Sequence, residues 1–335
     1  MSTLPTRTIG PLTVSALGLG CMPLSYGYGV PPSPEDGVAL IRQALDAGVT
    51  FLDTAALYGA GRNEELVGRA IAGRRGEVVV ASKGGMGLVD GVKTIDGRPE
   101  TLRAHCDASL RRLGVDVIDL HYLHRWDKTV PIAESVGGLV DLMGAGKIRA
   151  IGLSEVSTTR LREAQQIAEI AAVQNEYSLW TRNPELGLVE ACEQTGVALV
   201  PFSPLARGFL TGALPDPQAF ESGDLRRGMP RFQPDHWPGN AALLPAWTAL
   251  AAEAGCKPGQ LALACLLSRG ERVVPIPGTT DPDHLDENLA AVHLTLSDDV
   301  LARADALVNH ATVVGPRYSA AQSREVDADT FEEDA

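Results

Sequence analysis

Several features that mark particular protein classes are scarce in this sequence of 335 residues. Its five cysteines form no Cys-x-x-Cys pair, so we expect reduced, cytosolic thiols. Lys and Arg number 29 against 42 Asp and Glu, which argues against a nucleic-acid partner, because phosphate binding needs clustered cations. The N-terminus lacks a secretion signal, and no apolar run approaches the roughly 18 residues of a membrane span. We expect a cytoplasmic protein without a membrane partner.

The residues that are present favour one large α/β domain. Short, β-branched apolar segments alternate with segments of helical periodicity, as buried parallel strands do. Ser33 and Pro34 mark a helix start, and Gly48 follows that helix. Eight strands, each followed by a helical segment, favour a single (β/α)8 TIM barrel over residues 1–335 rather than a doubly wound sheet. The predicted strands are residues 15–20, 49–54, 77–83, 115–123, 147–154, 171–177, 197–203 and 272–277.

Three segments depart from this alternation. An N-terminal β-hairpin around Gly10–Pro11 could plug the bottom of the barrel. Residues 211–240, rich in Pro, Gly and charge, follow the seventh strand, where long loops cover the active site, so they are a candidate lid. The polar tail, residues 313–335, is expected to be mobile at its very end, DADTFEEDA.

Catalytic residues of such barrels lie at the C-terminal ends of strands, and four candidates do so here. Asp53 and Tyr58 follow the second strand, Lys83 ends the third and His124 ends the fourth. Each alone has an ordinary structural explanation, so the argument depends on the set. A carboxylate would keep Lys83 charged, and Lys83 would lower the pKa of Tyr58 from about 10 toward neutrality. A neutral imidazole would help to polarise a carbonyl as a hydride reaches its carbon.

The segment HYLHR, residues 121–125, contains two histidines. Alternation places His121 and His124 on opposite faces of a regular strand, but it does not say which face carries the site. Position favours His124, because it lies at the polar end of the strand, whereas His121 is deeper and suited to packing.

At this point several motifs resemble a known family. FLDTAALYG, ASKGG and YLHRWD, followed by GLSE, VQNEYSLW, PFSPLARGFLTG and PIPGTTDPDHLDENL, resemble the aldo-keto reductases over roughly residues 8–292. The loop GDLRRGMPRFQ is similar to that of the branch with the PIPGTT signature, which includes bacterial, fungal and plant reductases. The resemblance implies NAD(P)H-dependent reduction of aldehydes or ketones to alcohols. It makes Tyr58 the general acid, Lys83 and Asp53 its tuning pair, and His124 the residue that orients the carbonyl.

The same resemblance implies a cofactor site without a Rossmann fold, and the sequence GLGCM lacks the Gly-x-Gly-x-x-Gly pattern. Glu155 stands where the family often has Asn. The family default, NADPH, is the cofactor that the resemblance predicts. His284 stands at the family's arginine near the 2′-phosphate, and Asp281 stands where a lysine is expected, so NADH is the alternative. The implied cofactor-binding residues are Ser154, Gln174, Phe202, Ser203, Leu205, Gly208, Gly278, Thr279, His284, Glu287 and Asn288.

The sequence leaves two alternative functions to compare with carbonyl reduction. One is a cofactor-binding regulatory subunit similar to potassium-channel β subunits, for which the chain offers no basic face. The other is a metal-dependent barrel hydrolase, but the spacing in HYLH does not suit two ligands on one strand face. No metal is therefore predicted. The physiological substrate, a small carbonyl compound, and the oligomeric state stay open.

Overall fold

The computed structural model describes residues 4–331. Its strands, numbered along the chain, are β1 (Thr6–Ile9), β2 (Leu12–Ser15), β3 (Leu19–Gly20), β4 (Phe51–Asp53), β5 (Val79–Gly84), β6 (Met86–Val89), β7 (Val92–Ile95), β8 (Ile118–Leu123), β9 (Ile148–Ser154), β10 (Ala172–Gln174) and β11 (Ala198–Leu199). Seven of them form one parallel sheet in the spatial order β11, β10, β9, β8, β5, β4 and β3. This order follows the chain, as it does in a barrel.

The segment 273–277 closes the sheet between β11 and β3. On one side the amide of Val274 donates to the carbonyl of Leu199 at 2.8 Å. On the other side the amide of Gly18 donates to the carbonyl of Pro275 at 2.9 Å. Because a proline has no N–H to return, the ladder on this side is incomplete and the segment is not a regular strand. The predicted (β/α)8 barrel is confirmed, with an irregular eighth strand.

The helices lie outside the sheet and begin and end much as the sequence indicates. The hydroxyl of Ser33 accepts from the amide of Asp36 at 3.1 Å, and Gly48 follows the first helix with φ at +95°. No helix within residues 4–331 is long and apolar enough to cross a bilayer. The helices are α1 (Pro34–Asp46), α2 (Arg62–Ile71), α3 (Pro99–Leu113), α4 (Ile132–Gly144), α5 (Thr158–Gln165), α6 (Leu188–Thr195), α7 (Trp237–Ala241), α8 (Leu244–Glu253), α9 (Pro258–Leu267), α10 (Pro282–Ala290), α11 (Asp298–Leu307) and α12 (Ala320–Ser323).

The N-terminal hairpin closes the bottom of the barrel. β1 and β2 pair in antiparallel fashion around the turn Gly10–Pro11. Ile9 and Val14 are buried in the apolar cluster that fills the barrel interior. The predicted strand 15–20 is divided, because Ser15 ends the hairpin and only β3 joins the barrel sheet.

A second hairpin interrupts the regular alternation. β6 and β7 pair in antiparallel fashion between β5 and α3, so the predicted third strand is not followed directly by a helix. Its turn is the pair Asp90–Gly91, a strong hairpin signal that our sequence analysis missed. β10 and β11 are also shorter than predicted, because the backbone beyond them leaves the sheet and Ser203 adopts a left-handed φ of +50°.

The C-terminal segment lies against the top of the barrel. The side chain of Asp329 accepts from the amide and hydroxyl of Thr158 at 3.0 and 2.8 Å, at the start of α5. A carboxylate is favoured there by the unpaired amides of the first helical turn. Asp329, within the predicted mobile end, thus contacts the barrel, and mobility of that end stays a prediction. Residues 332–335 lie outside the described residues.

Candidate active site

The four ionisable candidates meet at the C-terminal edge of the barrel sheet. Asp53 ends β4, Lys83 lies near the end of β5 and His124 directly follows β8. These three strands are neighbours in the sheet, so their ends open on one face. Tyr58 reaches the same place from the loop after β4. The structure thus brings together the four residues that the sequence places on three separate strands.

Lys83 is the buried centre of this group. Its ammonium forms an ion pair with Asp53, donates to the carbonyl of Thr54 at 2.9 Å, and lies 3.4 Å from the hydroxyl oxygen of Tyr58. The amide of Gln174 donates to the second carboxylate oxygen of Asp53 at 2.7 Å. A fully buried ammonium needs such partners, because its lost hydration is otherwise uncompensated.

The protonation states of this group follow from burial and from the ion pair. Burial disfavours the charge on Lys83, but Asp53 and Tyr58 raise the pKa of Lys83 above its ordinary value, so it stays an ammonium. Burial also raises the pKa of Asp53, against the stabilising charge of Lys83 and the amide of Gln174.

Tyr58 departs from the prediction. Burial of its hydroxyl raises the pKa above 10, and the nearby Lys83 charge only reduces this effect. The expectation that Lys83 brings the pKa of Tyr58 toward neutrality is therefore wrong for this structure, because desolvation of the phenolate outweighs the attraction. The protonated phenol is the form present at neutral pH, and this is the form that can donate a proton.

The two histidines lie on opposite faces of β8, as alternation predicts. Tyr122 belongs to the cluster inside the barrel, so His124, two residues on, points inward, and its ring meets the ring of Tyr58 edge-on at 5.8 Å. His121 points outward toward His105 on α3. Burial lowers the pKa of His124 well below 6.5, helped by the charge of Arg125, and this keeps the imidazole neutral. Within residues 4–331, no group of three or more His, Cys, Asp or Glu side chains is arranged to hold a metal ion.

These residues lie at one end of a cavity of about 650 Å³. Asp53, Tyr58 and His124 line it, whereas Lys83 is covered by its partners. Part of the predicted lid loop, residues 211–240, also lines it. All eleven predicted cofactor-binding residues line the same cavity: Ser154, Gln174, Phe202, Ser203, Leu205, Gly208, Gly278, Thr279, His284, Glu287 and Asn288.

The backbone after β11 has an unusual conformation along one wall of the cavity. Ser203, Ala206 and Arg207 have φ values of +50°, +52° and +57°, and Gly208 follows at +95°. Residues other than glycine adopt this region rarely, and such positions concentrate at functional sites. Arg207 is held in place by Glu176, whose carboxylate lies 2.8 Å from the guanidinium. Backbone turns of this kind aim amide N–H groups into a concavity that suits an anion.

The far end of the cavity lies beside α10, where Lys257 and His284 line it. The carboxylate of Asp281 caps α10, where it accepts from the amides of Asp283 and His284 at 2.8 and 3.2 Å. Its charge is thus engaged with the helix start. Lys257, which the sequence analysis did not select, lines the cavity with His284 and lies 2.7 Å from the carboxylate of Glu287.

The structure accounts for Glu155, which stands where the family often has Asn. Its φ is +54°, in the left-handed region that Asn tolerates better than Glu. The buried carboxylate forms an ion pair with Arg317 of the C-terminal segment and accepts from the amide of Glu176 at 2.8 Å. It does not line the cavity, so the side chain at this position ties the C-terminal segment to the barrel.

Two further sets of residues line the cavity that the sequence analysis did not predict as site residues. Arg125 follows His124 in the HYLHR motif, lines the cavity and donates to the hydroxyl of Ser154 at 3.1 Å. In the sequence, the feature that could have identified Arg125 is its position directly after His124, at the end of a strand that carries a candidate catalytic residue. The C-terminal segment contributes Tyr318 and Glu325, among others, which lie in the polar tail 313–335 and were not predicted as site residues.

Comparisons with known proteins agree with this geometry. The sequence pattern of the Aldo/keto reductase family matches residues 16–309. The chain is 40% identical over 334 residues to the aldo-keto reductase yakc [NADP(+)] of Schizosaccharomyces pombe, covering 98% of each protein. Among solved structures, a glycerol dehydrogenase of Gluconobacter oxydans (AKR11B4) has a TM-score of 0.83 at 29% identity, covering 94% of this chain and 99% of that one. The aldo-keto reductase AKR11C1 of Bacillus halodurans has a TM-score of 0.76 at 26% identity, covering 92% and 97%. The chain belongs to the aldo/keto reductase family of oxidoreductases.

Proposed function

We propose that the protein reduces aldehydes or ketones to alcohols with NADPH, and that the reverse oxidation follows the same path. The observation that carries this proposal is the contact of the Lys83 ammonium with both the Asp53 carboxylate and the Tyr58 hydroxyl beside the cavity. This arrangement can deliver a proton to an oxygen beside Tyr58 and stabilise the charge left behind.

In this proposal the chain's own residues supply the proton and polarise the carbonyl. Tyr58 holds its proton at neutral pH and gives it to the carbonyl oxygen as negative charge builds there. The Lys83 ammonium stabilises the resulting phenolate, and Asp53 keeps that ammonium charged and oriented. The neutral imidazole of His124 orients the carbonyl through a hydrogen bond to its oxygen. Bound NADPH would supply the hydride that adds to the carbonyl carbon.

Along the cavity wall, successive groups of residues suit the nicotinamide, the pyrophosphate and the adenosine of a nicotinamide dinucleotide. Ser154 and Gln174 offer hydroxyl and amide groups next to Tyr58, where they would hold the carboxamide. Phe202 offers an aromatic face for the ring, and the left-handed backbone of residues 203–208 suits the pyrophosphate. Gly278, Thr279 and the start of α10 would take the adenosine end.

We propose NADPH over NADH because the Lys257 ammonium and the His284 imidazole line the far end of the cavity. The yeast relative carries NADP(+) in its name. In this chain Lys257 and His284 can face an added phosphate, and the nearby Asp281 carboxylate is occupied by helix amides. NADH stays the alternative, because Lys257 is exposed and already paired with Glu287.

We further propose a cytoplasmic location, in keeping with cysteines that are all unpaired and mostly buried. The proposed partner is a small carbonyl substrate. The net charge of -13 gives no support to a nucleic-acid partner.

The test is a steady-state assay of NADPH oxidation with a broad panel of aldehydes and ketones. We expect turnover by the wild type and its loss in Tyr58→Phe, with NADPH affinity nearly unchanged in a fluorescence titration. Tyr26→Phe is the matched control. The ring of Tyr26 stacks on that of Tyr58 at a centroid distance of 6.4 Å, whereas the hydrogen bond of Lys83 goes to the hydroxyl of Tyr58. Retention of most of kcat in Tyr58→Phe would refute the role of Tyr58. Tight NADPH binding without turnover across the panel would favour a cofactor-binding regulatory subunit.

A further inference from the structure

The charges that line the cavity are balanced with one exception. Five Lys and Arg side chains line it, and four of these have a carboxylate partner within hydrogen-bond distance. These pairs are Lys93 with Glu325 at 2.6 Å, Arg207 with Glu176 at 2.8 Å, Arg226 with Asp224 at 2.6 Å and Lys257 with Glu287 at 2.7 Å. The exception is Arg125, which has no carboxylate partner among residues 4–331.

The hydrogen bonds of Arg125 leave much of its guanidinium unused. Nη1 donates to the carbonyl of His124 at 2.7 Å and to the hydroxyl of Ser154 at 3.1 Å. Nε is buried and has no hydrogen-bond partner in the described part of the chain. A guanidinium presents five N–H donors in a planar fork that matches a carboxylate, so a half-buried one without an acid partner is incomplete.

Arg125 also lies beside residues that are proposed to handle the carbonyl and the cofactor, His124 and Ser154. It directly follows His124, and its hydrogen bond to Ser154 keeps the guanidinium near the end of β9. Its charge reaches the groups that are to handle the carbonyl, since it acts on both His124 and Tyr58. An anion bound by Arg125 would therefore belong to the molecule whose carbonyl lies beside Tyr58.

We propose that Arg125 binds a carboxylate of the substrate, so that the preferred substrates are aldehydes or ketones that also carry a carboxylate group. This inference deepens the proposed function and rests on it. The carboxylate would complete the guanidinium fork and, together with Tyr58 and His124 on the carbonyl oxygen, would hold the substrate at two points. A dedicated local cation is needed because the protein as a whole is strongly acidic and repels anions.

The experiment compares acids with neutral aldehydes of the same shape. The substrates are 3- and 4-carboxybenzaldehyde, each measured against the corresponding formylbenzamide with NADPH. A charge-assisted hydrogen bond predicts that wild-type kcat/KM favours the acid of at least one pair by about tenfold or more. In Arg125→Met we expect the ratio of kcat/KM for the acid to that for the amide to fall to about one, because the acid loses its charged partner whatever change the two substrates share. Arg125→Lys, which keeps the charge, should retain part of the preference.

Lys93→Met is the matched control, because Lys93 also lines the cavity but is already neutralised by Glu325. It should leave the ratio of acid to amide within about twofold of the wild type. An equal loss for acid and amide in Arg125→Met would overturn the inference and would mean that Arg125 acts by positioning Ser154. Equal wild-type activity on acid and amide would overturn it too, while the proposed reduction of carbonyls would stand. Failure of the wild type to reduce any of the four aldehydes would refute the proposed function and this inference with it.

Discussion

The ammonium of Lys83 lies 3.4 Å from the hydroxyl oxygen of Tyr58, yet the pKa of Tyr58 stays above its ordinary value. The main reason is burial, which disfavours the phenolate, and the Asp53 carboxylate beside Lys83 offsets part of the attraction of the ammonium. Burial therefore keeps the phenol protonated in the resting state. The positive charge of Lys83 stabilises the oxygen of Tyr58 mainly when negative charge forms there as the proton leaves.

The first prediction concerns pH. Because a raised pKa keeps the proton on Tyr58, kcat/KM for carbonyl reduction should stay level through neutral pH and fall only as pH rises beyond about 10. The neutral state of His124 adds no step near 6.5, since its pKa is well below that value. A pH profile of kcat/KM checks both. A falling limb near neutral pH would mean that Lys83, rather than burial, dominates the pKa of Tyr58 when the substrate site is in use.

The second prediction concerns Lys83. Lys83→Met should lower kcat by about a hundredfold or more, because the phenolate loses the ammonium that contacts its oxygen. It should also move the falling limb of the pH profile to higher pH, because Lys83 lowers the pKa of Tyr58. The single variant leaves the Asp53 carboxylate buried and unpaired, so the double variant Asp53→Asn, Lys83→Met serves as its partner. The double variant should regain thermal stability but not turnover. Recovered turnover would contradict the proposed role of Lys83.

The third prediction concerns the ion pair of Glu155 and Arg317. Both side chains are buried, so Arg317→Met should destabilise the fold by ~3 kcal/mol, as loss of one member of a buried pair does. The C-terminal segment should then exchange its amide hydrogens faster, and KM for the carbonyl substrate should rise, because Tyr318 and Glu325 line the cavity. Thermal unfolding and hydrogen exchange measure these effects.

The exposed pair of Arg303 and Glu253 offers the control for that experiment. Arg303→Met removes a cation with two hydrogen bonds to a carboxylate but lies in solvent, so its effect on stability should be much smaller. Equal losses in the two variants would show that the Glu155 ion pair does not hold the C-terminal segment in place.

The fourth prediction concerns cofactor choice. Lys257→Met should raise KM for NADPH by about tenfold and leave KM for NADH nearly unchanged, because only NADPH carries the extra phosphate. Lys147→Met is a matched control, since Lys147 is paired with Asp107 and does not line the cavity. Parallel titration with both cofactors gives the answer. An equal change for NADPH and NADH would remove Lys257 from the phosphate site.

The order of the strands and the location of the candidate site were predictable from sequence. Strand-end residues such as Asp53, Lys83 and His124 converge in any parallel barrel, because the carboxyl ends of its strands meet on one face. The pattern of apolar segments determined the barrel, since its strands are buried on both faces and leave a local signature. The hairpin of β6 and β7 was missed although its Asp-Gly turn is visible, because exposed strands lack that signature.

Only the tertiary structure decided the energetics and the charge pairing. The pKa of Tyr58 depends on the balance between burial and a nearby ion pair, and neither quantity is written in residue order. Among the described residues, Arg125 differs from the other cavity cations in having no carboxylate partner, and this depends on distances between segments far apart in the chain. By itself the sequence determined which segments form the barrel and in what order, because periodicity is local. The fold decided which charges meet, because electrostatic interactions act through space.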